Sequence, residues 1–410
     1  MMERGARSEK PAIIALGPHP WEEDMWMNRQ HLLSRLGARG WPVVYSSGAL
    51  DLWNRRGEAW AAAGWSARYA PRDNVILYYP GRGLPRYRKC NPYDKWVLRR
   101  FVRSMRATTG AVGTAGAIIA SFHPSFWPYV AAVPECVVWF HAFDDFPRTP
   151  GWTPDDAAML TNLTQRADLV TCSSELIRES ICNRFYQRCF TVENGADVAA
   201  FAPTQYGLVE PADLAEIPRP RVLYSGMLNR KVGFGTVACV AASRPRLHWV
   251  LVGENREAEI LADATLSPHY RACRSLPNVH FLGGKRREQI PDYVHFCDVL
   301  AMCYRMDGEG WWKSIFPLKL HEYMASGKPV VSSRLHALVK FEPLLPLCAN
   351  DEEWIRAIDR ALAGTFSSRE SVAIRRRVAE ANSWDRKVDE LEGHLEGLAS
   401  RSLTDRRSRT

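Results

Sequence analysis

A chain of 410 residues, 46% hydrophobic and 24% charged, holds more apolar material than one core usually takes, so two domains of similar size are expected. No run of about 18 apolar residues is present to cross a bilayer, and Met1 to Lys10 lack the apolar stretch of a secretory signal, so a cytoplasmic protein is expected. The net charge of +9 favours an anionic partner, and a nucleotide, an acidic membrane surface or a nucleic acid would each satisfy it.

In chain order, Ile13 to Leu16 reads as a first strand and Asp24 to Leu36 as an amphipathic helix. Strands come next at Gly40 to Tyr45 and Val75 to Tyr79, then a basic and aromatic stretch, then a helix around Asp94 to Met105. Ala117 to Ala120 and Cys136 to Phe140 are further strands. Thr153, Pro154 and the two aspartates after them start a helix reaching about Ala167. Strand Leu169 to Cys172, helix Ser174 to Arg184 and strand Phe190 to Val192 continue the alternation.

Pro203 to Pro220 breaks that rhythm and reads as an interdomain linker. A second series of strands begins at Val222 to Ser225 and continues through Leu247 to Val252, Val279 to Leu282, Asp298 to Met302 and Pro329 to Ser332. Asp351 to Ala363, Ser368 to Ala379 and Trp384 to Leu398 are helical, and a charged, frayed tail begins at about Ser400. Such repetition implies two doubly wound parallel sheets with ligands at the carboxyl ends of their strands. The ten cysteines are dispersed, without a C-x-x-C pair or a paired histidine motif, so buried thiols are expected rather than a zinc site or a disulfide framework.

The most informative stretch is Phe316-Pro-Leu-Lys-Leu-His-Glu-Tyr-Met-Ala-Ser-Gly-Lys-Pro-Val-Val331. Pro317 suits the first position of a helix, and Lys319 and Glu322, one turn apart, would share an accessible face while Leu318, Tyr323 and Met324 are buried. A helix N-terminus with a lysine in its first turn would receive a diphosphate, and an ionised glutamate would accept from sugar hydroxyls. A core helix with two solvated charges would carry the same pattern.

At Glu322, Gly327, Pro329 and Val330-Val331 the chain resembles the nucleotide-sugar-binding half of GT-B glycosyltransferases of the family 4, or group 1, type. The variant found in transferases of teichuronic-acid and exopolysaccharide assembly is closer still, through Phe316 to Lys319 and Glu322-Tyr323. The resemblance implies a GT-B fold of two Rossmann-like domains facing a central cleft. Residues 1–205 would form the acceptor-side domain, 206–380 the nucleotide-sugar domain, and 381–410 a helix returning to the first domain plus the tail. One departure stands out: where the family carries a first glutamate, eight residues before Glu322, this chain has Ser314. Asp307 or Glu309 in the preceding loop could replace it.

The resemblance also assigns site residues. Gly226, Arg230 and Lys231 come after the first strand of the second series, and one of the two basic residues would meet the donor diphosphate. Phe281 and Leu282 stand where the family backbone holds the nucleotide base. In the first domain His141 would contact the donor sugar and Asp144 would activate the acceptor, with Glu22 and Asp24 as runner-up bases; Asp145 as a helix cap and His141 as a structural residue is the competing assignment. The segment from Asn194 to Asp197 with Phe201 resembles the turn that ends the first domain.

The activity implied is transfer of a sugar from a nucleotide-diphosphate sugar, with UDP- or GDP-sugars first among candidates, to a glycan or lipid-linked glycan. No cofactor is expected, and the absence of a D-x-D motif leaves basic residues and helix dipoles to do the work of a metal. Retention and inversion are both open. Arg82, Arg86, Arg88 and Lys89 among Tyr78, Tyr79 and Tyr87, then Arg99, Arg100, Arg103 and Arg106, could rest on an inner-membrane surface or form an ordinary solvated face. A catalytically silent scaffold binding nucleotide or RNA is the reading from a different class, although nucleic acid is the less favoured partner.

Overall fold

The computed structural model describes residues 10–22, 26–110, 116–182, 188–202 and 207–407, with side chains up to residue 399. The chain divides into two compact units, Met1–Glu193 with Lys387–Thr410, and Asn194–Arg386.

The first unit is built on eight strands: β1 (Ile13–Leu16), β2 (Val43–Ser46), β3 (Arg68–Arg72), β4 (Val75–Tyr79), β5 (Ile118–Ser121), β6 (Val137–Ala142), β7 (Leu169–Cys172) and β8 (Cys189–Thr191). Their order is β3-β4-β2-β1-β5-β6-β7-β8. The central strands are fully buried apolar runs, as sheets covered by helices on both faces require. Helices Asn28–Ala38, Asn91–Ala107 and Pro154–Arg166 supply that cover. The last starts as expected: Thr153 Oγ1 accepts from the Asp156 amide at 3.2 Å, and the Asp156 carboxylate accepts from the Thr153 amide at 3.0 Å.

One strand departs from the expected parallel sheet. β3 runs antiparallel to β4 through a two-residue turn at Asp73 and Asn74, whose φ values of 51° and 63° are those of a hairpin turn. Gly37 lets the first helix meet this turn, because a Cβ there would lie 2.0 Å from the Asn74 carbonyl oxygen.

The second unit has six parallel strands: β9 (Arg221–Ser225), β10 (His248–Val252), β11 (Val279–Gly283), β12 (Val299–Met302), β13 (Val330–Ser333) and β14 (Leu347–Cys348). They lie in the order β11-β10-β9-β12-β13-β14, so chain direction across the sheet reverses beside β9. That is the switch point at which doubly wound sheets bind ligands. Two apolar layers flank the sheet, one around Val222, Trp249 and Trp354 and the other around Leu223, Tyr323 and Met324. Part of the expected linker folds as a short helix, Ala212–Ala215; residues 203–206 lie outside the described residues.

Two further expectations are corrected. Cys182 and Cys189 are joined by a disulfide, while Cys90 is exposed, so the cysteines are not uniformly buried thiols. Close spacing allowed that bond, but spacing alone carried no sign of it. The charged tail is not frayed along its length, since the helix Trp384–Arg407 continues through it. Among the described residues no helix is long and apolar enough to cross a membrane.

Candidate functional site

In the second unit the helix Lys319–Ser326 has Leu318 as its N-cap, so it starts two residues later than Pro317 suggested. Its first turn is held from outside: Asn194 Nδ2 donates to the Phe316 carbonyl at 2.7 Å. Its last turn closes on Gly327 at φ 78°, whose carbonyl accepts from Arg375 at 2.7 Å.

Lys319 is not on an accessible face. It is 8% exposed, its Nζ lies 3.6 Å from the centroid of the Tyr224 ring and 5.6 Å from that of Tyr304, and it makes no hydrogen bond. Apolar positions chosen by periodicity place a charge outside, whereas here two tyrosine faces receive the ammonium inside. Burial, with Lys231 adding repulsion, holds its pKa well below the ordinary lysine range.

Gly226 completes the cradle. Its φ is +129°, and a Cβ there would meet Lys319 Nζ at 3.1 Å. Gly253, at φ +154°, closes the other side: a Cβ on it would lie 2.0 Å from the Gly226 carbonyl oxygen, and the Gly226 amide donates to the Val252 carbonyl at 2.8 Å. Two strand ends therefore meet backbone to backbone, with a buried cation aimed at the gap. Gly253 and Tyr224 had no role assigned from sequence; a glycine directly after the buried strand β10 was the available signal.

Glu322 stands one turn on. Burial lifts its pKa to about 8, with Lys319 pulling it down and Asp197 pushing it up. At neutral pH its carboxyl is largely protonated and can donate as well as accept.

The two basic candidates separate. Arg230 is turned to Asp263, at 3.1 Å, where Arg305 also binds at 3.1 Å, so its charge is already matched. Lys231 lies close enough to depress Lys319 and sits 5.6 Å from the Trp311 ring centroid. Of the pair, the geometry brings Lys231 to Lys319. Phe281 and Leu282 precede Gly283 at the end of β11, the Phe281 ring packing edge-on against Tyr270, and the Gly283 carbonyl accepts from the Gly253 amide at 2.8 Å. Thus the strand end expected at the base adjoins the glycine pair. Ser314 is buried, Asp307 is paired with Arg305 at 2.6 Å, and Glu309 reaches Lys313 at 3.3 Å. Neither carboxylate stands free to replace the missing glutamate.

A cavity of about 500 Å³ opens elsewhere in this unit, lined by Gly233, Thr236, His269, Arg305, Asp351 and Trp354. Asp307, one of the two alternatives to the missing glutamate, also lines it, whereas Gly226, Lys231, Lys319 and Glu322 do not.

In the first unit His141 ends up in the core, 1% exposed, not at an accessible strand end. Its Nδ1 shares a 2.8 Å hydrogen bond with Thr171 Oγ1, its Nε2 has no partner, and Phe122 and Trp139 pack around it. Burial pushes its pKa down to about 3, so the imidazole is neutral. The core accepts the ring because Thr171 satisfies one nitrogen. Asp144 is half-buried, and Asp145 is buried and paired with Arg148 at 3.3 Å without capping the turn after it. Glu22 is exposed and bonded to the Tyr79 hydroxyl, while Asp24 lies outside the described residues.

Residues 219–363, which hold the whole cradle, match the family model of group 1 glycosyl transferases. Over that span the second unit is similar to the group 1 glycosyl transferases. A relative of this chain is TuaH of Bacillus subtilis, assigned as a teichuronic acid biosynthesis glycosyltransferase, 25% identical over 232 residues. That alignment covers 54% of the present chain and spans only about half, 55%, of TuaH.

Solved structures share the fold of this chain across its length. The trehalose 6-phosphate synthase of Burkholderia multivorans matches with a TM-score of 0.66 at 14% identity, covering 96% of this chain and 100% of that one. The E. coli enzyme bound with UDP-2-fluoro glucose gives 0.66 at 13% identity, covering 94% and 98%. HepE of Anabaena, in complex with UDP, gives 0.64 at 14% identity, covering 95% and 100%.

Proposed function

We propose that this chain moves a sugar from a nucleotide-diphosphate sugar to a hydroxyl acceptor during assembly of a cell-surface or extracellular glycan. The observation that carries the reading is the buried, unpaired ammonium of Lys319, fixed between Tyr224 and Gly226 at the N-terminus of a helix. A buried cation without a partner is costly, and an anion entering the gap would remove that cost. Breaking the bond from the anomeric carbon to the diphosphate builds negative charge on the leaving group. An ammonium about 4 Å away, at an effective dielectric near 20, interacts with it by roughly 4 kcal/mol. Only the part gained between ground and transition state accelerates transfer.

Lys231 would share the diphosphate, Glu322 would hold donor hydroxyls, and the backbone at Phe281 and Leu282 would hold the base. Asp144 is the residue we assign to the acceptor hydroxyl. UDP-sugars come first among donors, in keeping with the UDP ligands of two structural relatives. The relation to TuaH supports a cell-surface polymer as acceptor.

Thermal shift and calorimetry against UDP, GDP, ADP and TDP with their sugars test the reading. Stabilisation by one nucleotide series, weakened at least tenfold in affinity by Lys319→Ala, is expected. No binding by any of them would overturn it. An anion in the gap would oppose the burial and the Lys231 repulsion that hold the Lys319 pKa down.

A further inference from the structure

Between Asp51 and Arg106 the chain carries thirteen Lys and Arg against four Asp and Glu, an excess of nine that equals the net charge of +9 of the whole protein. Everything outside that segment is balanced. The same segment contains the exposed tryptophans Trp53, Trp65 and Trp96, which are 57%, 77% and 53% exposed, and the exposed Tyr69. Charge and aromatic surface coincide in one quarter of one unit.

The loop 81–89 connects to all three tryptophans, to Trp65 and Trp53 directly and to Trp96 through Tyr93. Gly83 donates its amide to the Trp65 carbonyl at 2.8 Å, and the Trp65 ring lies against it. The Pro85 carbonyl accepts from the Tyr93 hydroxyl at 3.1 Å, and Tyr93 packs on Trp96 at 6.0 Å. Tyr87 stacks on Trp53 at 6.0 Å, with Lys89 Nζ 4.8 Å from that ring. Arg100 lies 6.0 Å from the Trp96 ring on the outward side of the helix Asn91–Ala107.

Two basic residues drop out of the surface. Arg86 is buried on Asp94 at 2.7 Å, and Arg106 is buried as well. Arg82, Arg88, Lys89, Lys95, Arg100 and Arg103 remain exposed.

We propose that this patch docks the protein on an anionic lipid bilayer, the tryptophans seating at headgroup depth and the basic side chains meeting lipid phosphates. Tryptophan has an apolar body and a polar N–H, which suits the interface between water and hydrocarbon. Basic side chains near an anionic surface add attraction that falls off within the screening length. Large apolar rings held outward on three separate elements are otherwise unfavourable in water. A bilayer accommodates such a splayed set at once, whereas a single nucleic-acid strand reads stacked rings along one groove. The inference is independent of the donor reading, since vesicle binding needs no nucleotide.

The test is flotation of the full chain with vesicles of phosphatidylcholine alone and with vesicles of equal parts phosphatidylcholine and phosphatidylglycerol. Binding to the mixed vesicles only, weakening with salt, is expected. Joint substitution of Arg82, Lys89 and Arg100 by Ser should reduce partition about a hundredfold. Joint substitution of Trp53, Trp65 and Trp96 by Ser should reduce it roughly tenfold or more. Both sets should keep the wild-type circular dichroism, being confined to exposed side chains, and each set tests the proposal should the other misfold. Equal binding to both vesicle types, no binding, or wild-type binding by the tryptophan set would overturn the proposal. So would tight binding of a single-stranded RNA in place of the vesicles.

Discussion

The Lys319 amine is buried between two tyrosine rings without a hydrogen bond. An uncharged, similarly shaped side chain would sit between Tyr224 and Tyr304 without the cost of desolvating an ammonium. Lys319→Met is expected to raise the ligand-free unfolding free energy by about 1–2 kcal/mol, seen in denaturant titration. On the proposed function, turnover of Lys319→Ala should meanwhile fall about a hundredfold or more, the cation assigned to the leaving diphosphate being gone. Near-normal turnover would remove the lysine from the mechanism. Glu322 gives a pH test. Its folded pKa of about 8 stands above the ordinary value of 4.5, so the folded state binds the extra proton. Its contribution is therefore intact below about 4.5 and is lost as pH rises towards about 8. Glu322→Gln lacks that loss, so its melting temperature should gain on the wild type across this window and stay level with it at acid pH.

At the scale of elements, two glycines shape the gap beside Lys319. Gly253→Ala would force a Cβ to within 2.0 Å of the Gly226 carbonyl oxygen in a backbone conformation that resists side chains. A loss of roughly 2–4 kcal/mol in stability and weaker nucleotide binding are expected, read by melting and calorimetry on the same sample. Strands β1, β4 and β7 were legible to the residue because continuous apolar runs end abruptly at polar or turn residues. β3 was not: its sequence, Arg-Tyr-Ala-Pro-Arg, is exposed at four of five positions and has no apolar face to alternate. The helix Lys319–Ser326 was legible as a helix. The burial of its lysine was not, because the receiving ring of Tyr224 lies nearly a hundred residues earlier. The same holds for Arg230, whose partner Asp263 is set by folding and not by local spacing. By residue type His141 is poor core material, yet one hydroxyl from the neighbouring strand makes it acceptable there.

Across the whole molecule the chain leaves its second unit and returns to its first at Lys387. There Glu392 accepts from Lys10 at 2.6 Å, Trp41 at 2.8 Å and Arg39 at 3.0 Å, and Asp389 adds a bridge to Arg39 at 2.8 Å. Those donors outweigh the burial that opposes them and hold the Glu392 pKa down to about 2, against 4.5. Solvent reaches part of this cluster and screens it, so the depression contributes roughly 1–2 kcal/mol at neutral pH. The contribution is present above about 4.5 and fades as pH falls towards about 2. Glu392→Gln should therefore melt below the wild type at neutral pH, the gap closing in acid.

The hairpin strand β3 has a consequence for how this protein behaves among copies of itself. A sheet of eight strands must end somewhere, and an open edge is a template on which another chain can add. Here that edge is short, carries Arg68 and Arg72 and contains Pro71, which has no amide hydrogen to offer a newcomer. Replacing Arg68, Pro71 and Arg72 together with valine would leave the unit folded and turn this border into an adhesive one. Light scattering and thioflavin fluorescence on heating should rise for the valine variant and stay flat for the natural sequence, whose outermost strand works as a gatekeeper against fibrils.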